Sequence, residues 1–383
     1  MIYLDHNATS PLRPEAHAAW LEVVERLRGN PSSLHAGGRW ARDQIDLARE
    51  RVAGALGVLE DELVFTSGGT ESNNTALLGA LRALGPGARL ISDAAEHPSV
   101  LAVLDLWQDL GGTSHRLGVD ADGRPDLDEL TTLLRDPRPT VVSCSAANNE
   151  VGVVPNLEQV RARVSAAPSE RVFLHVDAVQ ALGKLETPRY LPWADGASFS
   201  AHKVGGPTGV GVLVRKKATP GGPLMVGGGQ EFGWRPGTEN TAGIVAASIA
   251  IELAVNEQPK TAAHMRAVTE AMRTELARVL PRVRVLGPKD PHERLPNTLC
   301  LLANGHDGKV LVTRLDLEGL AIGAGSACSS GSVSASHVLL AMGLQEAEAR
   351  AAVRVSVGRN TSHEEGKRAV AILCKILEPS HAS

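Results

Sequence analysis

The segment Ser198-Phe199-Ser200-Ala201-His202-Lys203-Val204-Gly205-Gly206-Pro207 carries one lysine among small and ring-bearing residues. Upstream, the apolar run Val172-Phe173-Leu174-His175-Val176 ends on Asp177. A lysine that forms a Schiff base, with an aspartate that pairs with a pyridinium nitrogen, is the least a protein contributes to pyridoxal-phosphate chemistry. Lysine suits the task because its amine gives up its proton when desolvated or set beside another cation. Read alone, Lys203 is equally a solvated loop lysine, as most lysines are.

Other segments narrow the choice. Leu63-Val64-Phe65-Thr66-Ser67-Gly68-Gly69-Thr70-Glu71 reads as a strand, a Gly-rich turn and a helix start. Glycines let backbone approach a ligand, and the free amides of a helix start suit an anion. The pattern lacks the lysine of a nucleoside-triphosphate P-loop and the full dinucleotide fingerprint. The plainer reading is a strand–helix turn with Thr70 as N-cap. His97, in Asp93-Ala94-Ala95-Glu96-His97-Pro98-Ser99, also lies between a strand and a helix. It can stack on a flat ring and relay protons, or it is a surface histidine beside a helix start. Asn148-Asn149 ends a further strand, where α/β folds place ligands, although asparagine also serves turns.

The segment from Gly323 to Ser336 is nearly all Gly, Ser and Ala around Cys328. It offers little to a core, so a mobile surface loop is expected. An exposed cysteine on such a tether suits a nucleophile that travels. Cys144 and Cys300 in apolar strands, and Cys374 in an apolar helix, read as core.

These residues need a scaffold, and 383 residues are too many for one ordinary core, so two domains are expected. The chain is 43% hydrophobic and 21% charged with a net charge of -4, a soluble composition without the basic excess of a nucleic-acid binder. No apolar run approaches the ~20 residues of a membrane span. The first residues show no basic segment followed by an apolar one, so no secretory signal is expected. The 4 cysteines match neither a disulfide framework nor a zinc pattern, and a cytoplasmic chain with reduced thiols is expected. Strand-like runs at 63–66, 89–92, 140–143, 171–176, 209–214 and 297–302 alternate with helical stretches at 39–56, 71–84, 99–110, 157–167 and 240–255. Alternation of this kind predicts α/β architecture with a mainly parallel sheet. The polar, helix-breaking stretch Asn256-Glu257-Gln258-Pro259-Lys260 marks the expected boundary with a smaller α+β region.

Taken together, the motifs resemble the cysteine desulfurases of the iron–sulfur-cluster and nitrogen-fixation type, within the class V aminotransferase group. The resemblance runs from Ile2-Tyr3-Leu4-Asp5-His6-Asn7-Ala8-Thr9-Ser10 to Arg354-Val355-Ser356-Val357-Gly358-Arg359. It implies a type I aminotransferase-like fold, with a large domain over 15–256 built on a mainly parallel seven-stranded sheet. Residues 1–14 and 257–383 would form the small α+β domain with the cysteine loop. It implies pyridoxal 5'-phosphate as cofactor, with Lys203 as Schiff-base lysine, Asp177 on the ring nitrogen and His97 stacked on the ring. Gln180 would reach the phenolic oxygen and Asn149 that oxygen and the substrate carboxylate. Gly69, Thr70, Ser200 and His202 would hold the phosphate. Thr238 would reach the phosphate of a partner subunit, implying a homodimer. Arg354 would bind the carboxylate of L-cysteine, and Cys328 would take the sulfur as a persulfide, leaving alanine, and pass it to a protein acceptor. No metal site is implied, Cys328 being the one thiol that a transient cluster could use. Neither membrane nor nucleic-acid binding is implied.

Two departures from the family pattern stand out. Gly205 occupies a place where family members often carry an aromatic residue, and the tail after Leu377 is short, which bears on scaffold docking and on whether the sulfur serves clusters, tRNA thiolation or DNA phosphorothioation. The competing readings are a related pyridoxal-phosphate lyase or aminotransferase, which needs no mobile cysteine, and a catalytically silent partner protein.

Overall fold

The structure is a computed structural model that describes residues 1–325 and 335–377. Cys328 lies outside the described residues, as does the tail after Leu377. The strands are β1 (Ile2–Tyr3), β2 (Leu63–Thr66), β3 (Arg89–Asp93), β4 (Thr113–Leu117), β5 (Thr140–Ser145), β6 (Val172–Asp177) and β7 (Gly196–Ser200). They continue with β8 (Gly211–Arg215), β9 (Arg284–Leu286), β10 (Thr298–Leu302), β11 (Leu320–Ala321), β12 (Gly323–Ala324) and β13 (Ala352–Ser356). The α-helices of the first half are α1 (Pro14–Arg26), α2 (Ala36–Leu56), α3 (Gly69–Leu84), α4 (Pro98–Asp109), α5 (Leu127–Leu134) and α6 (Leu157–Ser165). Those of the second are α7 (Thr241–Asn256), α8 (Gln258–Val279), α9 (Gly308–Leu317), α10 (His337–Ala341), α11 (Glu346–Arg350) and α12 (His363–Leu377).

A seven-stranded sheet in the order β2-β8-β7-β6-β5-β3-β4 forms the larger layer. Its strands run parallel except β8, which is antiparallel to both neighbours. The central strands are buried on both faces, which explains their continuous apolar runs. Register sets the site. Ser145, Asp177 and Ser198 are paired across β5, β6 and β7, so β5 and β6 end at one level and β7 runs two residues further. Ligands of open α/β sheets sit beyond such carboxyl ends.

The second sheet, in the order β12-β13-β10-β9, is antiparallel. Leu299 and Leu301 of β10 and Val353 and Val355 of β13 bury one face with residues of α8, α9 and α12. The N-terminus joins this layer, with β1 parallel to β11 and Asp5 bridged to Ser356.

At the polar stretch 256–260, where the boundary is expected, α7 ends at Asn256 and α8 begins at Gln258. Pro259 suits the first turn of α8, where its missing N–H is no loss. The Gly/Ser/Ala segment is not surface loop at its ends. Gly323 and Ala324 form β12 against β13, and Ser336 is buried, capping α10 through Leu339 N. Gly323 has a packing reason, because a Cβ there would meet Asp5 Oδ1 at 2.7 Å and Arg354 Nη2 at 2.8 Å.

Candidate functional site

The turn after β7 presents Lys203 at the sheet's carboxyl edge. Its Nζ donates to the carbonyls of Asn7 and Ala8, each at 2.7 Å. Gly205 ends that turn in the left-handed region, φ 85°, and a Cβ there would meet Pro11 O at 3.1 Å. The turn is thus closed against the N-terminal segment, which accounts for the glycine at its end.

Asp177, at the end of β6, is buried and committed on both oxygens. Oδ1 accepts from Val179 N at 3.0 Å and Oδ2 from Asn73 Nδ2 at 2.7 Å. Asn73 lies one turn inside α3 and also donates to Ser99 Oγ. The carboxylate is therefore held rigid at the cavity wall.

His97 caps α4. Its Nδ1 accepts from Ser99 N at 3.1 Å, which places the ring proton on Nε2. Burial and the charges of Lys203 and His337 lower its pKa, against Asp177, so the ring is held neutral. Behind it, Glu96 is fully buried, with its acidity weakened by burial, then by Asp93 and Asp177. His202 faces Thr9 Oγ1 at 3.1 Å, and burial with the Lys203 and Lys184 charges brings it down to about 4.

The opposite wall comes from the small sheet. Arg354, in mid-β13, is 1% exposed. Nη2 donates to Asp5 at 2.6 Å and Nη1 to Asn149 O at 3.2 Å, while its buried Nε has no hydrogen-bond partner among the described residues. Between the walls runs the segment Asp5–Ser10. Asn7 Nδ2 reaches Asn149 O and Thr298 Oγ1, and Asn7 O accepts from Lys203 and Gln180.

The walls enclose a cavity of about 240 Å³. It is lined by Gly69, Thr70, His97, Asn149, Asp177, Gln180, Ser200, His202, Lys203 and Arg354, so every expected cofactor and substrate residue save Thr238 meets there. Thr238 is exposed elsewhere and accepts from Asn30 at 3.4 Å. Thr70 is not the cap of α3; that place is Gly68. Cys144 and Cys300 are core, as expected, and Cys374 packs half-buried against the small core.

Sequence reasoning missed Asn73, Asp5, Asn7, Glu96 and Lys184. A helical period of three to four from Thr70 points to Asn73. The polar cluster in the first ten residues had no such signal, because its partners lie on two distant sheets.

The class-V aminotransferase family matches residues 2–368. A cysteine desulfurase IscS from Dictyoglomus turgidum is 37% identical over 98% of this chain and 94% of its own length. The cysteine desulfurase NifS of Azotobacter vinelandii is 38% identical over 96% of this chain and 90% of that one. The solved structure of a NifS-like protein superposes with a TM-score of 0.90 at 34% identity, covering 98% of this chain and 99% of that chain.

Proposed function

Because the chain belongs to the class-V aminotransferase family and, within it, is a cysteine desulfurase, we propose that the cavity binds pyridoxal 5'-phosphate and L-cysteine between the two walls, and that Cys328 receives the sulfur. The observation that carries this is the convergence of Lys203, a rigidly held Asp177 and a neutral His97 on one side with the incompletely paired Arg354 on the other.

The residues fit the cofactor. The N-terminus of α3 at Gly69, with Thr70, Ser200 and the His202 ring, makes an anion cradle. Asp177 suits a pyridinium, and Lys203 is the amine for covalent attachment. The buried Nε of Arg354 without a partner fits a ligand that is still to arrive. When bound, pyridoxal phosphate supplies an electron sink for the bonds around the substrate's α- and β-carbons.

The chain's own residues do the rest. Arg354 takes the substrate carboxylate with its open donors, and Asn149 and Asn7 fix its orientation. Lys203 Nζ would be the base that takes the α-proton, and His97 Nε2 holds a proton for transfer at the site. The Cys328 thiolate attacks the substrate sulfur, so an S–S bond forms and the C–S bond breaks. The bonding pair stays on carbon, which takes up a proton and leaves as alanine. A persulfide remains on Cys328 for a protein thiol acceptor, in cluster assembly or another thiolation pathway.

The division into a large unit over 15–256 and a small unit from 1–14 and 257–383 belongs to the same proposal, as does a homodimer. Leu34, Val226 and Phe232 are exposed in the segments around Asn30 and Thr238. Glu231 and Phe232 stand at φ 49° and 56°, a costly region for non-glycine residues. Glu231 is held there by buried Arg49 and by Phe65 N, which presents the segment outward toward a second copy. No described helix is long and apolar enough to cross a membrane; a cytoplasmic setting is part of the same proposal.

The test is Cys328→Ser. The variant keeps the visible cofactor band and loses both sulfide and alanine formation from L-cysteine; unchanged turnover overturns the reading.

A further inference from the structure

Lys184 is a buried lysine that the proposed chemistry leaves without a task. It follows Asp177 by seven residues, in a helical turn where Leu182 N bonds Ala178 O and Leu185 N bonds Ala181 O. Gly183 beside it is left-handed, φ 68°. The residue is 6% exposed, and its carbonyl is tied to Gln258 at the start of α8. A lysine is rarely so buried without a partner that needs it.

The partner is Gln180. Lys184 Nζ donates to Gln180 Oε1 at 2.6 Å. Gln180 Nε2 donates to Asn7 O at 3.0 Å, and Lys203 Nζ donates to the same carbonyl at 2.7 Å. A chain of hydrogen bonds thus joins the two lysines through one amide. A charged Lys184 only donates, so it pairs only with the oxygen end of the Gln180 amide and leaves the N–H end for Asn7 O, on the Lys203 side.

We propose that Lys184 is a positioning residue for the cofactor: it locks the Gln180 amide with its N–H end toward the Lys203 side of the cavity. This rests on the reading that Lys203 carries pyridoxal phosphate. An N–H presented there stabilises an anionic oxygen, whereas a flipped amide would repel it. The charges acting on Lys184 are Lys203, from the turn after β7, and Arg354, from β13, and its own charge in turn lowers His6 of the N-terminal segment and His202. Burial, then Lys203 and Arg354, bring its amine down to about 7. The same positive charge disfavours a second proton on the Lys203 side, so loss of Lys184 removes two influences that act in one direction.

The experiment is a pH titration of the visible cofactor band in the loaded full-length protein, with cofactor retention after gel filtration as a second readout. Lys184→Met, an apolar replacement of similar length, raises the titration midpoint by about 1 unit or more, the size expected for losing a nearby charge and its hydrogen bond. An unmoved midpoint overturns the proposal. In a Gln180→Leu background the same substitution moves the midpoint by less than half as much. An equal shift in both backgrounds shows a field effect without positioning, and also overturns it. Should Lys184→Met not fold, Gln180→Glu keeps Lys184 paired yet presents no N–H, and it raises the midpoint; no change overturns the proposal. A missing visible band in the unsubstituted protein overturns the Lys203 reading and the proposal together, whereas a normal band with an unmoved midpoint overturns only Lys184.

Discussion

The two walls of the cavity are built in opposite ways. On the Lys203 wall, functional side chains stand at the carboxyl ends of aligned parallel strands, each fixed by its own buried hydrogen bonds: Asp177 by Asn73 and Val179, and His97 by Ser99. On the Arg354 wall, one arginine projects from the middle of an antiparallel strand, paired with Asp5 of the N-terminal segment. The first wall is redundant and pre-formed. The second depends on one side chain whose carboxylate partner is already in place and whose Nε is still open. On the proposed function, the difference separates cofactor retention, which many residues would share, from substrate recognition, which would rest on Arg354.

That separation is easiest to break at Arg354. Arg354→Leu raises KM for L-cysteine about a hundredfold or more, since truncating one partner of a buried charged hydrogen bond costs about 2–5 kcal/mol. The visible cofactor band and its retention stay as they were. Loss of cofactor in this variant would merge the two walls into one. Asn73→Ala works from the other side. It removes a hydrogen bond to a buried carboxylate, about 1.5–3 kcal/mol, and weakens cofactor retention roughly tenfold or more in equilibrium dialysis, with KM for L-cysteine changed little at saturating cofactor.

A third effect, on stability and with neither ligand involved, comes from Glu150, buried where the loop after β5 meets Ser336. Burial raises its carboxyl to about 7, against the Ser336 bond and the Arg354 charge. The folded protein therefore holds a proton that the unfolded chain has released between about pH 4.5 and 7, so this group lowers stability as pH rises through that window. Glu150→Gln removes the loss: its unfolding free energy relative to the unsubstituted protein, read by chemical denaturation, rises from pH 5 to pH 8, by on the order of 3 kcal/mol at full effect. A pH-independent difference would place the group in another environment.

Much of this was legible beforehand, for stated reasons. Buried parallel strands read as apolar runs, and β6 ends on Asp177, so that residue was marked locally, while Asn149 and Lys203, a few residues beyond the ends of β5 and β7, took a definite role only once the resemblance was drawn. Arg354 was legible through resemblance, while its bond to Asp5 was not, because 349 residues separate the two in the chain. The Gly/Ser/Ala segment misled at its ends: composition signalled a loop, yet Gly323 is small because Arg354 and Asp5 pass beside it. Lys184 was invisible, since a lysine near a strand end reads as solvent-exposed until its surroundings are known.

The account turns on which of two neighbouring lysines carries the cofactor. Borohydride reduction of the loaded protein, followed by peptide mapping by mass spectrometry, decides it. The account predicts the reduced cofactor on Lys203 alone. A label on Lys184, or on any other lysine with Lys203 unmodified, would contradict it.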